Sequence, residues 1–513
     1  MIQKKNRIWE KPGAVWLVVG IAALLRILWY WNKSLWMDEL AAVYIAQYPL
    51  HDIIFTTPET FYHPPLYPSL LNICIALLGN SRYVWALPSV LAGIFSVWLL
   101  YDIVRRLGDR RLAFWVGMVA AFSPYLVALS QEVFDYMVLL SLALLSWDLL
   151  LMCLERNRLW FWVLWGLVCV LGLYTHFLMG MVILTQFIAF IFWKPKWRGA
   201  WWGLIAAGAI AFLLYVPFFY RATAMLSRRS VEIGLWSAPT SLADIAKKLF
   251  GVIYYQLCGF YFSNLNWDKL ISVLTNPANL FLFLGLITFP VGLILWAFGG
   301  WRNMGAKFKL VLVPILIVPL TMLVYPSVNA RQFILMSPAL FMLLGFGITC
   351  MFDAWKTHRN IMAIVMLGGL ALGYGWSLSN YYPLEVNQVE QQNWRAIFTT
   401  IEENEKPGDI IYNHTALTGE AAVRIYYHGR LPSINSNLDA YAYTGAEVTG
   451  LRGIIVPIDL WIDELLERYQ RVWFIYLNFE APDFEEMIKR AQAQHPNTEF
   501  AICRDLRLIL FER

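Results

Sequence analysis

The acid pair Asp38-Glu39, inside SLWMDELAAVYIAQYPL, is the first place in the chain where residue types suggest chemistry. Two adjacent carboxylates can take a proton from a hydroxyl or ligate a cation; they can also do no more than complement the positive N-terminal end of a helix. Leu40, Val43, Tyr44 and Gln47 follow helical spacing, so both acids fall in a first turn and the two readings stand side by side. His63 comes next, followed by Pro64 and Pro65. A residue before proline is held extended, which fixes this histidine in the same loop as the acids. A lone histidine is more often structural than catalytic, and its company is what gives it weight. Glu132 and Asp135 in SPYLVALSQEVFDY, His176 in LYTHFLMG and Arg331 in YPSVNARQFILMSPAL each fall at the end of an apolar run. A guanidinium there can fork onto phosphate oxygens. Asp38, Glu39, Glu132 and His176 could together form an oxygen and nitrogen site that takes Mg²⁺ or Mn²⁺ loosely, but no spacing compels one and no metal is assigned. There is no Gly-rich phosphate loop, Ser-His-Asp pattern or HExxH.

The elements that must carry these residues are membrane helices. The 513 residues are 59% hydrophobic and 15% charged, with mean hydropathy +0.53, too apolar for a chain whose solvent is water alone. Eleven apolar runs, from 13–31 and 83–104 through 112–130, 135–154, 159–175, 177–193, 200–220, 278–299, 309–325 and 333–352 to 360–379, approach the ~20 residues a bilayer core requires. The start resembles a secretory signal, but no small-residue cleavage site follows, so the first run reads as an anchor that remains. Short basic loops sort to one side: Lys4, Lys5, Arg7 and Lys11, then Arg105 to Arg111, Arg156 and Arg158, Lys194 to Arg198, Arg302 to Lys309, and Lys356 with Arg359. Positive loops stay inside. The N-terminus is therefore expected in the cytoplasm, and segments 32–82, 221–277 and the tail outside a cell membrane. His63, Glu132, Asp135, His176 and Arg331 all fall on that outer side.

Segment 32–82 holds a second apolar piece of about 15 residues after the double proline. It is too short to span, and is expected at the outer interface. Net charge changes along the chain. Residues 1–379 hold 28 Lys and Arg against 15 Asp and Glu, and residues 380–513 hold 12 against 20. The basic excess needs no nucleic acid, since cytoplasmic loops account for it. The six cysteines show no disulfide framework. In the tail, DIIYN, RVWFIYL, EFAICRD and LRLILFE read as strands, and GEAAVRIYYHG, DLWIDELLERYQ and DFEEMIKRAQAQ as helices. The fold class is thus an all-α polytopic membrane domain over 1–379 with about 11 helices, followed by an exported soluble α/β domain over 380–513.

In order along the chain, W-x-D-E, Y-H-P-P-L-Y, the SPYLVALSQEVFDY stretch, Y-T-H, R-x-x-x-x-x-x-P-A-L and the tail's NWR and GDIIY resemble the GT-C glycosyltransferases, more narrowly the protein O-mannosyltransferase-like group that includes the lipid A aminoarabinose transferases. The resemblance implies transfer of a sugar from a polyprenyl-phosphate carrier to a lipid, glycan or protein acceptor at the outer face, with inversion. It implies Asp38 as the base, with Glu39 orienting its neighbours. Arg331, His63, Tyr62 and Tyr67 fall on the phosphate side, supported by Glu132, Asp135 and His176. One departure stands out: where relatives carry an arginine three residues before Tyr136, this chain has Val133. A transporter or flippase is the rival from another class. Such proteins show repeated halves and helices interrupted near the midplane, and neither is evident in the sequence. A catalytically dead binder of lipid-linked sugar is the other alternative.

Overall fold

The computed structural model describes residues 8–30, 33–55, 63–156, 158–194, 198–234, 241–258, 290–324, 330–354, 359–382, 392–435, 458–477, 482–503 and 506–513. Its contacts divide the chain into two compact units, Met1–Tyr30 with Tyr62–Tyr382, and Trp31–Phe61 with Pro383–Arg513. In chain order the first helices are α1 (Ala14–Ile27), α2 (Met37–Ile45), α3 (Leu50–Phe55), α4 (Leu66–Leu78), α5 (Arg82–Trp85), α6 (Leu87–Leu107) and α7 (Arg110–Phe122). Then come α8 (Pro124–Gln131), α9 (Tyr136–Arg156), α10 (Leu159–Thr175), α11 (Met179–Trp193), α12 (Arg198–Gly234) and α13 (Leu242–Cys258). They continue with α14 (Pro290–Gly299), α15 (Ala306–Ile317), α16 (Ser337–Ala354) and α17 (Arg359–Tyr381). The C-terminal residues add α18 (Trp394–Asn404), β1 (Asp409–His414), α19 (Ala416–Tyr426), β2 (Ser433–Asn435), α20 (Ile458–Arg468), β3 (Arg471–Leu477), α21 (Pro482–Gln494), β4 (Asn497–Phe500) and β5 (Leu506–Glu512).

The first unit is a multi-pass membrane bundle. Every apolar run expected as a span is helical where it is described, but not every one is a single long helix. Among the described residues five helices are long and apolar enough to cross: Arg82–Leu107, Tyr136–Arg156, Gly199–Thr223, Ala306–Leu323 and Arg331–Asp353. A sixth crossing arises if α7 and α8, bent by 55°, count as one. The helices α1, α4, α10, α11 and α14 are apolar but shorter, at 10–17 residues. The eleven expected spans are thus helices of unequal length where they are described. Prolines account for part of this: Pro124 opens α8 at its first position, and Pro319 falls in the 3-10 stretch Val318–Val324. Segment 221–277, expected as a loop, is helical where described, and Tyr255 of α13 belongs to the core. The apolar windows of Tyr136–Arg156 and Arg331–Asp353 are 83% and 89% buried against 17% for Gly199–Thr223, so α9 and α16 form the centre and α12 the lipid-facing edge. Asp148 is paired, lying 2.9 Å from Arg106 Nε, and Arg106 also reaches Asp102 at 2.7 Å.

The break between α7 and α8 is held by side chains. Where a helix stops, its last carbonyls lose their intrahelical donors, and in a membrane no water replaces them. Fully buried Arg26 of α1 fills that role, donating to Ala121 O at 3.1 Å and Ala120 O at 3.2 Å. Gln131 at the end of α8 does the same for α1, its Nε2 donating to Leu28 O at 2.8 Å and Arg26 O at 3.1 Å. α6 passes close by because Gly93 has no side chain; a Cβ there would lie 2.2 Å from Ser130 Oγ and 3.1 Å from Arg26 Nε. This reciprocal capping sets where Glu132 leaves α8.

The second unit is a five-stranded sheet of order β2-β1-β3-β5-β4, with β1 parallel to β2 and β3, and β5 antiparallel to β3 and β4. Ile410, Tyr412, Val472, Phe474, Ile509 and Phe511 form one face, against Ile462 and Leu465 of α20 and Ile488 and Ala491 of α21. Asp409 is 1% exposed, and Arg471 beside it in register closes a bidentate pair at 2.9 and 2.7 Å. The expected strands and helices are present, except that the strand expected at EFAICRD lies earlier, at Asn497–Phe500, where it pairs with β5. Strand β2 and helix α18 were not expected. Residues 34–48 pack with this unit. Helix α2 lies on α19, with Tyr44 OH donating to Glu420 Oε1 at 3.2 Å and the Arg424 guanidinium 5.3 Å from the Tyr44 ring centre.

Candidate functional site

In the membrane unit, the turn between α8 and α9 carries Glu132 and Asp135, and its backbone is anchored from behind. Ser89 Oγ of α6 donates to Phe134 O at 3.0 Å, and the buried Tyr67 hydroxyl shares a hydrogen bond with Ser89 Oγ at 3.2 Å. Tyr67, expected on the phosphate side, is thus a brace for this turn. Tyr62 lies outside the described residues. His63 precedes α4, and its Nδ1 is 3.1 Å from Asp135 Oδ2, with Asp135 only 2% exposed. With the carboxylate ionised, Nδ1–H donates to Asp135. The His63 ring lies 4.8 Å from Phe134 and 5.7 Å from His176 between centres. His176 caps α10, is 3% exposed, and its Nδ1 accepts the Leu178 N–H at 3.0 Å.

Arg331 comes from the 3-10 turn Ala330–Met336 that leads into α16. Its Nη2 is 3.5 Å from Glu132 Oε1, and its guanidinium donates to the Tyr255 hydroxyl. The hydroxyl of fully buried Tyr125 donates to Arg331 O at 3.4 Å, and Tyr125 and Tyr255 lie edge to face at 5.5 Å. Tyr136 extends the cluster, 5.8 Å from His176 and 5.2 Å from Phe134. Four separate stretches of sequence therefore bring His63, Glu132, Asp135, His176 and Arg331 into one constellation. Val133, at the departure noted above, is fully buried and apolar. Among the described residues, two cations reach its neighbours: Arg331, nearly 200 residues away in sequence, at Glu132, and Arg82, whose Nη2 donates to Gln131 O at 3.4 Å. Tyr136 entered the sequence reading only as a motif position, and Tyr125 and Tyr255 were not singled out, because a tyrosine near a helix end in an apolar chain reads as an interfacial anchor.

One atom each of His63, Asp135 and His176 lies within 4.8 Å of the others, close enough for one ion to reach all three. Two imidazoles and a carboxylate suit zinc or another first-row divalent ion better than Mg²⁺. His176 limits the fit. Its Nδ1 lone pair already accepts a backbone N–H, so the neutral ring keeps its proton on Nε2, and an ion would have to displace one or the other. As arranged, His63 and Asp135 are hydrogen-bonded and His176 packs beside the His63 ring, and no catalytic step is derived through a metal. Of the oxygen and nitrogen set weighed from sequence, His176 belongs to this cluster and Glu132 is paired with Arg331.

The acid pair belongs to the second unit. Glu39 is 3% exposed, and its Oε2 accepts the Trp36 N–H at 3.1 Å, the carboxylate half of a capping box. Asp38 is the second residue of α2, part-exposed beside it.

Residues 62–220 match the sequence family described as Dolichyl-phosphate-mannose-protein mannosyltransferase. Among curated protein sequences there is no significant match. Among solved structures, the chain is similar to ArnT from Cupriavidus metallidurans in the apo state, at 14% identity and TM-score 0.58, covering 97% of each chain. It is similar to the same protein bound to undecaprenyl phosphate, at 14% identity and TM-score 0.56, over 97% of this chain and 98% of that one. It is also similar to the Archaeoglobus fulgidus oligosaccharyltransferase in the apo form, at 14% identity and TM-score 0.60, over 96% of this chain and 74% of that one. That archaeal enzyme has also been crystallised with Zn and sulfate. These likenesses establish the fold. The resemblance to GT-C glycosyltransferases read from the motifs is the one the comparisons show.

Proposed function

We propose that this chain, with its GT-C fold, is a membrane glycosyltransferase that moves a sugar from a polyprenyl-phosphate donor to a lipid, glycan or protein acceptor at the outer face, inverting the anomeric carbon. The observation that carries this reading is the gathering of one arginine, two histidines and two acids from four stretches of sequence at the membrane unit's buried constellation. The acceptor oxygen forms a bond to the anomeric carbon as the bond from that carbon to the phosphate oxygen breaks. The acceptor proton goes to the Asp38 carboxylate, and the electron pair leaves with polyprenyl phosphate. A phosphate is already a good leaving group, so no protonating acid is needed, unlike in the two-carboxylate glycosidases. Arg331 steadies the developing phosphate charge, exchanging Glu132 for phosphate oxygens. His63, oriented by Asp135, contributes a second donor on the phosphate side when its ring is protonated. The N-terminus is cytoplasmic and the C-terminal unit outside.

The test is single-turnover transfer from a labelled polyprenyl-phosphate sugar by purified protein, wild type beside Asp38→Asn. Loss of a general base lowers turnover about 10²- to 10⁴-fold while donor binding persists. If Asp38 served only the helix dipole, asparagine would cap as well and turnover would be nearly intact. Binding without release of polyprenyl phosphate would identify a non-catalytic binder, and passage of intact donor between leaflets a flippase.

A further inference from the structure

Helix α2 has nine residues, too few to be stable alone, since isolated helices shorter than ~12–15 residues are marginal in water. What orders it is visible at its N-terminus, where the first amides of a helix have no partner within it. The Leu35 N–H donates to Tyr426 OH at 2.8 Å, the Trp36 N–H to Glu39 Oε2 at 3.1 Å, and the Met37 N–H to Gln392 Oε1 at 2.9 Å. Three consecutive amides immediately before Asp38 are thus each held by a side chain, two of them from the C-terminal residues more than 350 positions away. Gln392 is 6% exposed, so its amide is a built-in part of that surface. Leu35, Leu40, Val43 and Ile45 are fully buried, which leaves α2 no freedom to turn about its own axis.

We infer that the C-terminal unit positions Asp38 for catalysis, with Gln392 and Tyr426 as positioning residues that grip the backbone on which Asp38 is mounted. The inference rests on the reading of Asp38 as the base. Neither residue touches the acid's reacting oxygen. Each acts by fixing the amide plane one to three residues before it, and a displacement near 1 Å in a reacting group can cost about 10²-fold. The donor-side residues His63 and Arg331 belong to the other unit, so donor affinity should be insensitive to the grip.

The experiment uses full-length protein in single-turnover transfer with a labelled polyprenyl-phosphate sugar, over a range of donor concentrations. Gln392→Met keeps length and volume but removes the acceptor. It should lower kcat about 10- to 10²-fold, leave KM for the donor within about twofold, and leave the melting temperature close to wild type. Gln392→Glu retains an acceptor oxygen at the same reach and should recover most of kcat. Tyr426→Phe reads the second grip independently and should lower kcat in the same sense. The decisive arm is the Asp38→Asn background, where Gln392→Met should change the residual rate by no more than about twofold, because a residue acting through Asp38 has nothing left to position. An undiminished loss in that background, a loss confined to KM, or no recovery with Gln392→Glu would overturn the inference. Wild-type turnover in Asp38→Asn alone would instead overturn the reading of Asp38, a separate outcome. Normal kcat in both Gln392→Met and Tyr426→Phe, with Asp38→Asn inactive, would leave that reading standing and remove the positioning role.

Discussion

Replacing Arg26 with methionine keeps an unbranched apolar stem of similar reach but deletes the group that caps α7 across the break. Ala120 O and Ala121 O, which accept from Arg26 at 3.2 and 3.1 Å, would then lie buried in a membrane bundle without those donors. Each orphaned buried acceptor costs roughly 1–3 kcal/mol, or about 2–6 kcal/mol for the two. Against this stands the relief of no longer burying a cation whose hydrogen bonds go to the backbone carbonyls of Ala22, Ala120 and Ala121. That relief is incomplete, because removing one side of a buried polar contact strands the other. The negative C-terminal end of α7 also favours the guanidinium where it is. A net loss of about 2–4 kcal/mol follows, concentrated at the α7–α8 junction. At about 1.4 kcal/mol per decade, backbone amides near the break should exchange with solvent roughly 30- to 1000-fold faster, read by hydrogen–deuterium exchange on peptides covering residues 118–131. Arg26→Lys should be intermediate, since one ammonium cannot fork onto two carbonyls. Exchange within about threefold of wild type in Arg26→Met would refute the capping argument.

On the donor side, Arg331→Ala should weaken binding of a polyprenyl phosphate more than Arg331→Lys, because lysine keeps a charge and loses the planar fork; equal affinity in wild type and Arg331→Ala, by titration calorimetry, would take Arg331 out of the site. In the second unit His414 is pushed down to about 4 by burial, packed against Phe474. Its unfolded counterpart takes a proton near 6.5, so stability present above pH 6.5 should be lost as pH falls toward 4, by at most roughly 3 kcal/mol; thermal melts of wild type and His414→Gln at pH 7 and pH 4.5 check this, the variant showing the smaller drop. For orientation, Glu486 has a side chain 67% exposed, and Glu486→Cys in intact cells should react with a membrane-impermeant maleimide; labelling only after lysis would reverse the topology.

Some of this molecule is written locally, and those parts were legible. Runs of apolar residues must be helical in a bilayer because only helices or closed barrels satisfy their own backbone there. The period-two strands of RVWFIYL and LRLILFE must pair for the same accounting reason. His63, Glu132, Asp135, His176 and Arg331 could be singled out because polar groups at the ends of apolar runs are costly without a use. What they touch was decided by packing. His63 meets Asp135 across 72 residues and Arg331 meets Glu132 across 199 because α4, α8, α9 and the turn before α16 converge, and no residue spacing encodes that. The bend at Pro124 interrupts the run 112–130 that was expected as one span, and the caps that stabilise it, Arg26 and Gln131, come from helix ends about a hundred residues apart. Sequence placed Asp38 in the first turn of a helix in an outer loop. Only the tertiary structure shows that the helix is held by Gln392 and Tyr426, since a nine-residue segment takes its order from whatever surface satisfies its first amides and covers its apolar side.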